Sequence, residues 1–367
     1  MNAITIFISL ALFPSGAEEA PQKTVLGELL KPFLSPANPG FALALTRDGK
    51  LVFQLADGLA DLETRQPWSL ATPSYAASLA KPITAEAVLT LIQAGKLRQD
   101  DLLSDYLPAF TTMAAGVRIR HLLNHTSGLP DYYGLIQWGG FKGLGNAEVI
   151  EMVLSHGRSD FEPGSRFAYS NTGYILLAEI VAQVVDQGFA LWMQNSIFKP
   201  KGMINTTLID TPQRLPARRA LGYKKVQDVW RFSDYTKTHL NGNLYHVTYT
   251  TIGAGGLYTS VDDLLAYGRA VLPHLEGQRQ EIQAIPTNQT GLTSDTAYHA
   301  GLFRGSLDGQ LLFWHKGDFA GFHSLLAMVP NEGLVLAIMS NNRDLDTTAL
   351  AKILFEETLK GQNQFED

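Results

Sequence analysis

Apolar residues cluster differently at the ends of the chain and in its middle. Near the start, the runs 41–46 and 51–55 are short and apolar, with Asp48-Gly49, a favoured tight-turn dipeptide, between them, so they predict an antiparallel hairpin. Near the other end, the runs 310–314, 324–329 and 334–339 predict three more strands, the last two joined through Pro330-Asn331-Glu332-Gly333. Residues 24–34 and 347–359 repeat apolar side chains at helical spacing and read as amphipathic helices able to cover such a sheet. From 62 to 297 helical patterns and long loops dominate, without internal repeats or low-complexity tracts. The fold class this predicts is α+β. An antiparallel sheet of five or more strands, drawn from 24–61 and 298–367, is flanked by helices and interrupted by a mostly helical subdomain, 62–297, with a cleft where the two meet.

Composition narrows the chemistry. The 367 residues are 45% hydrophobic and 17% charged, as in a folded globular protein. Lys and Arg number 29 against 35 Asp and Glu, a net charge of -6, which argues against nucleic acid and anionic membranes as partners. With no cysteine there is no disulfide, thiolate metal site or cysteine nucleophile, so a covalent nucleophile must be Ser, Thr, Lys or a carboxylate. The apolar run 3–13 followed by Ser15-Gly16-Ala17 reads as a secretory signal over residues 1–17, although no Lys or Arg precedes it. It is shorter than the roughly 20 residues that span a bilayer, so no stable membrane anchor is expected. The reading is a periplasmic or secreted protein whose residues 18–367 form a single domain.

Three short motifs carry candidate chemistry. Ser78-Leu79-Ala80-Lys81 opens a mostly apolar helical stretch closed by Gly95, and a spacing of three puts Lys81 one turn from Ser78 on the same face. A buried helix starting there also aims backbone N–H groups at an oxyanion forming on a group attached to Ser78. Ser196-Ile197-Phe198-Lys199 has the same spacing, but Pro200-Lys201-Gly202 follows it, which marks a surface segment. Tyr169-Ser170-Asn171 lies between the loop 162–165 and an apolar helix; the tyrosine serves as a base only if a cation such as Lys81 lowers its pKa, and the Asn171 carboxamide suits recognition of an amide. Trp314-His315-Lys316-Gly317 ends a strand, where the glycine allows close approach of a ligand and the Asp318 amide offers a second oxyanion donor.

Taken in this order, the motifs resemble those of the serine β-lactamase and penicillin-binding protein superfamily, in the class C β-lactamase and D-peptidase branch that includes related esterases. The stretches 121–130, 200–203 and 255–260 are similar to segments typical of that branch, and the resemblance runs from about residue 41 to 342. It implies a β-lactamase-like catalytic domain in which Ser78 is acylated, Lys81 helps activate it, Tyr169 relays its proton, Asn171 holds the substrate amide and His315 replaces the cation of the third motif. It further implies acyl transfer without metal or organic cofactor, on a D-amino-acid peptide, a β-lactam or an ester. A non-catalytic family member that binds cell-wall peptides is the alternative from another class. Two positions depart from the family pattern. Lys316 stands where a hydroxyl residue usually contacts a substrate carboxylate, so it either partners a carboxylate or points into solvent, and Asp318 must turn its carboxylate away from an oxyanion.

Other readings are weaker. His121 and His125, four apart, lack the intervening Glu of a metalloprotease helix and read as structural. Gly253-Ala254-Gly255-Gly256 lacks the Gly-Lys-Ser/Thr of a phosphate loop and leads into a helix start at Ser260. No G-x-S-x-G nucleophile elbow occurs. Tyr132, Tyr133, Trp138 and Phe141 are candidates to line the cleft.

Overall fold

The apolar runs from the two ends of the chain pair with each other. The computed structural model describes residues 20–136, 144–233, 238–240, 243–245, 249–289 and 291–363. Its eight-stranded antiparallel sheet contains β1 (Phe41–Arg47), β2 (Lys50–Asp57), β3 (Ile285–Pro286), β4 (Ala297–His299), β5 (Leu302–Leu307), β6 (Gln310–Phe319), β7 (Phe322–Val329) and β8 (Leu334–Ser340). Their spatial order is β3-β4-β5-β6-β7-β8-β1-β2. β1 therefore lies between its hairpin partner and the last strand, with Phe41 opposite Ser340 and Arg47 opposite Leu334. Asp48 and Gly49 both take positive φ, 50° and 74°, as the tight turn between β1 and β2 requires.

Strand alternation sorts the sheet's side chains into two separate cores. On β8, Leu334, Leu336 and Ile338 join one core, while Val335, Ala337 and Met339 join the other. Burial on both faces explains why this strand reads as an unbroken apolar run rather than an alternating one. Six helices have eleven or more residues among those described: α1 (Ala20–Leu30), α2 (Ala80–Gln93), α3 (Asn146–His156), α4 (Asn171–Val185), α5 (Val261–Val271) and α6 (Thr347–Asn363). Leu26 and Leu30 of α1 and Leu350, Leu354 and Phe355 of α6 cover the first face. Ile83 and Val88 of α2, Ile175 and Leu177 of α4 and Leu264 and Tyr267 of α5 build the second core.

The strands and covering helices expected from the pattern are all present, with shifted limits. The sheet has eight strands and resumes at Ile285, upstream of the expected 298, because β3 and β4 are too short to leave a period in the sequence. The first helix ends at Leu30 and tightens into a 3₁₀ turn, Lys31–Phe33, where Pro32 supplies no N–H. β6 continues five residues past Trp314, through the polar His315 and Lys316 that seemed to end it. The insertion also contains a small antiparallel ladder, in which Leu257–Thr259 lies between Ser74–Tyr75 and Thr207–Leu208. Among the described residues, no single helix is long and apolar enough to cross a membrane. The proposed signal segment, Trp138 and Phe141 lie outside the described residues.

Candidate active site

Ser78 stands at a strained junction between the sheet and α2. Ala77–Leu79 forms one 3₁₀ turn and the α-helix proper begins at Ala80, two residues later than expected. Ala77 has φ 48°, a left-handed conformation that a non-glycine residue adopts only when its surroundings enforce it. The enforcing contacts are visible. The Ala76 carbonyl accepts from Ser324 Oγ on β7 at 2.8 Å, and the Ala76 N–H donates to Leu257 O at 2.9 Å. β6 runs against the same carbonyl at Gly317, where a Cβ would lie 2.1 Å from Ala76 O, so no other residue fits. Pro82 costs little in the first turn of α2, where its missing N–H has no intrahelical partner to lose.

Lys81 lies in that same first turn, with no solvent exposure. Its Nζ donates to Ser78 Oγ at 3.0 Å, Asn171 Oδ1 at 2.8 Å and Ala254 O at 3.1 Å, matching three acceptors to the three protons of an ammonium. Burial pulls its pKa from 10.5 to about 7, against the opposing pull of the Asp131 charge. A neutral amine is therefore available beside Ser78 near neutral pH. Ala254 belongs to the glycine-rich segment read above as a lead-in to α5. Gly253, at φ 103°, packs so closely on α4 that a Cβ would meet Tyr174 O at 2.3 Å, and this contact helps aim the next carbonyl at Lys81.

Ser170 is the N-cap of α4, accepting from Gly173 N, and Asn171 is its first helical residue. The Asn171 carboxamide is oriented by its two partners, since Lys81 Nζ donates to Oδ1 and Asp131 Oδ2, 3.0 Å from Nδ2, accepts. One Nδ2 proton is left for a ligand. Tyr169, just before the cap, stands beside Ser78, and its ring lies 4.8 Å from Lys81 Nζ. The condition for Tyr169 to serve as a base, a pKa lowered by a cation, is not met. Burial among His125, Tyr298 and neighbouring rings raises it, and the Asp131 charge raises it further. The lowered pKa belongs to Lys81, and Tyr169 is a protonated phenol.

The third motif is also reassigned in part. Phe313, His315 and Gly317 face the helical insertion, whereas Trp314 and Lys316 face α6. His315 Nδ1 lies 2.7 Å from Lys316 O and Nε2 lies 3.4 Å from the Tyr298 hydroxyl. Burial, with the Lys81 charge as second cause, lowers its pKa to about 3, so His315 is neutral and does not replace a cation. Lys316 Nζ donates to Thr348 Oγ1 at 3.4 Å, on the far side of the sheet from Ser78. The Asp318 carboxylate is 66% exposed, with His323 Nδ1 at 3.9 Å, and so turns away from Ser78. β5 pairs with β6 only as far as Trp314 while β7 pairs with it through Phe319, leaving one edge of 315–319 open beside the serine.

These elements border a cleft of about 310 Å³ lined by Ser78, Tyr169, Asn171 and Asp318. Tyr75, Tyr132, Tyr133, Ile136 and Phe319 give it aromatic and apolar walls, which places Tyr132 and Tyr133 as expected. Lys81 sits beneath the floor, and His315, Lys316 and Gly317 lie behind the wall. Asp131, Ala254 and Tyr75 were not singled out from the sequence. Only Asp131, directly after Pro130 and ahead of a short helix, left a signal, as a capping residue. His121 and His125 serve different places: His121 accepts from Arg118 N, and the His125 ring packs against Tyr169 with centroids 4.3 Å apart and the planes tilted by 35°. Among the described residues, no cluster of His, Asp and Glu could hold a metal ion.

The chain is 30% identical over 306 residues to penicillin-binding protein 4* of Bacillus subtilis, covering 81% of this chain and 66% of that one. It is 26% identical over 321 residues to a D-aminopeptidase of Gluconobacter oxydans, covering 86% and 58%. The chain thus spans roughly two thirds or less of the length of these relatives. Among solved structures, the octameric penicillin-binding protein homologue of Pyrococcus abyssi superposes with a TM-score of 0.76 at 21% identity, covering 94% of this chain and 78% of that one. The D-amino acid amidase of Ochrobactrum anthropi SV3, complexed with L-phenylalanine amide, gives 0.73 at 23%, covering 93% and 99%. Both likenesses place the fold. The Beta-lactamase family model matches residues 26–356, nearly all of what the structure describes, and the chain belongs to that family.

Proposed function

We propose that this protein is a serine hydrolase that works through an acyl-enzyme at Ser78, with Lys81 as the base. The observation that carries the reading is the 3.0 Å contact from a fully buried lysine, its pKa near 7, to a serine at the edge of a cleft. In acylation, Ser78 Oγ attacks the substrate carbonyl carbon as its proton passes to neutral Lys81. The backbone N–H groups of Ser78 and Asp318 face the developing oxyanion. Collapse breaks the bond to the leaving nitrogen or oxygen, which regains the proton from Lys81 through the Tyr169 hydroxyl. Water then hydrolyses the Ser78 ester by the same steps in reverse, releasing the acid.

The cleft favours amides or esters that carry no carboxylate beside the scissile bond. Its described lining is aromatic, Lys81 is already engaged below it, and Lys316 is turned to α6. Amino-acid amides and esters therefore come first, in keeping with the names of the D-aminopeptidase and D-amino acid amidase relatives. A β-lactam or D-alanyl carboxypeptidase substrate is the second reading, favoured by the similarity to penicillin-binding protein 4*. The test is intact mass and product release with D-alanine p-nitroanilide, p-nitrophenyl acetate and benzylpenicillin, for the wild type and Ser78→Ala. An adduct and turnover that vanish with Ser78 support the reading, and turnover that persists in Ser78→Ala overturns it. Faster consumption of benzylpenicillin than of the anilide puts the second reading first.

A further inference from the structure

Asp131 touches none of the reacting atoms, yet it is tied to the parts of the site that must keep their places. Its Oδ2 accepts from Asn171 N at 2.6 Å and Asn171 Nδ2 at 3.0 Å, and its Oδ1 accepts from Tyr133 N at 2.9 Å, capping the short helix Tyr132–Leu135. Thr172 Oγ1 fastens the same segment to α4 by accepting from Tyr132 N and donating to Pro130 O. Asn171 Oδ1 faces Lys81 Nζ at 2.8 Å, and that ammonium faces Ser78. The aromatic wall, the first turn of α4 and the lysine–serine pair thus share one carboxylate.

We propose that Asp131 is a positioning residue for the Ser78–Lys81 pair, fixing the Asn171 carboxamide so that its oxygen meets Lys81 and placing negative charge near that ammonium. The inference rests on the proposed roles of Ser78 and Lys81. The other titratable groups around Lys81 are Tyr169 and Tyr174, whose rings lie 4.8 and 5.9 Å from Nζ, His125 after the helix Ile119–Leu123, and His315 on β6. Both histidines are held neutral by burial, so Asp131 is the group among them whose charge favours the ammonium.

The experiment measures kcat/KM for p-nitrophenyl acetate from about pH 5 to about pH 9, where a lysine base of this pKa titrates, for wild type, Asp131→Asn and Asp131→Glu. Loss of the charge destabilises the ammonium, so the acid limb of Asp131→Asn moves down by about one pH unit, and loss of alignment lowers the plateau about tenfold. Asp131→Glu keeps the charge but displaces the oxygens, so its plateau falls while its acid limb stays in place. Combined with Asn171→Ala, Asp131→Asn adds no further plateau loss beyond that of Asn171→Ala alone. An unmoved limb in Asp131→Asn, or losses that multiply in the double variant, overturns the proposal. If Asp131→Asn does not fold, Asp131→Glu decides, and a displaced limb or a wild-type plateau refutes the inference. Ser78→Ala in the same assay tests the underlying reading separately, since its persistent activity removes the serine mechanism whatever the Asp131 variants do.

Discussion

The chain contains the same four-residue spacing twice, and the two copies share nothing else. Ser196 is exposed in the π-helical turn Gln194–Phe198, and Lys199, equally exposed, donates to Asn195 Oδ1 at 3.0 Å. Lys81 is sealed under α4 and the Gly253–Gly256 segment, where each of its three protons meets an acceptor. Spacing supplies proximity in both places. Only burial makes the neutral amine accessible near pH 7, because water solvates an exposed ammonium and keeps it protonated. The lesson is that this motif becomes chemistry through what covers it.

The most direct way to break the comparison is to remove each serine. Ser78→Ala is expected to lower kcat/KM by about three orders of magnitude or more, and Ser196→Ala to change it by less than about twofold, measured on p-nitrophenyl acetate. Next come the lysines: Lys81→Ala costs about 10²- to 10⁴-fold in kcat, the usual worth of a positioned base, while Lys199→Ala again stays within about twofold. Without mutation, the pH profile sharpens the contrast. In the proposed mechanism only neutral Lys81 accepts the serine proton, so kcat/KM should rise with pH through about 7, and a profile already flat from pH 5 would assign the base elsewhere. A smaller effect follows from the cleft wall, where Tyr133→Ala should raise KM for an aromatic amide about threefold to tenfold with little change in kcat. Lys316→Ala, on the far face of β6, should leave kcat/KM within about twofold.

What the sequence disclosed about this site depended on sequence distance. Ser78 with Lys81, and Tyr169 with Asn171, are separated by two or three residues, so a helical turn or a capped helix start fixes their relation locally. The strands of the sheet were legible for a similar reason, since burial on both faces concentrates apolar residues into runs such as 334–339. Asp131 and Ala254 were not legible as site residues, because Asp131 meets Asn171 across 40 positions and Ala254 meets Lys81 across 173, and a backbone carbonyl leaves no trace in residue type. The electrostatic roles went astray for a related reason. Residue type marks Tyr169, Lys81 and His315 as titratable, but their pKa directions come from the enclosure that α4, β6 and the insertion build together. Lys316 stood in the expected motif yet faces α6, because strand alternation sends it to the side opposite Gly317, and the same alternation turns the Asp318 carboxylate away as its position requires.

The pairing of β1 with β8 joins residues about 290 to 300 positions apart. During synthesis at about 5–20 residues per second, the first strand waits about 15 to 60 s for its partner to be made. The junction at Ser78 leans on β6 and β7, through Gly317 and Ser324, so it too stays unbraced until late in translation. A nascent chain therefore carries its proposed nucleophile long before it can use it, and activity should arise in one step when the C-terminal strands arrive, not grow with chain length.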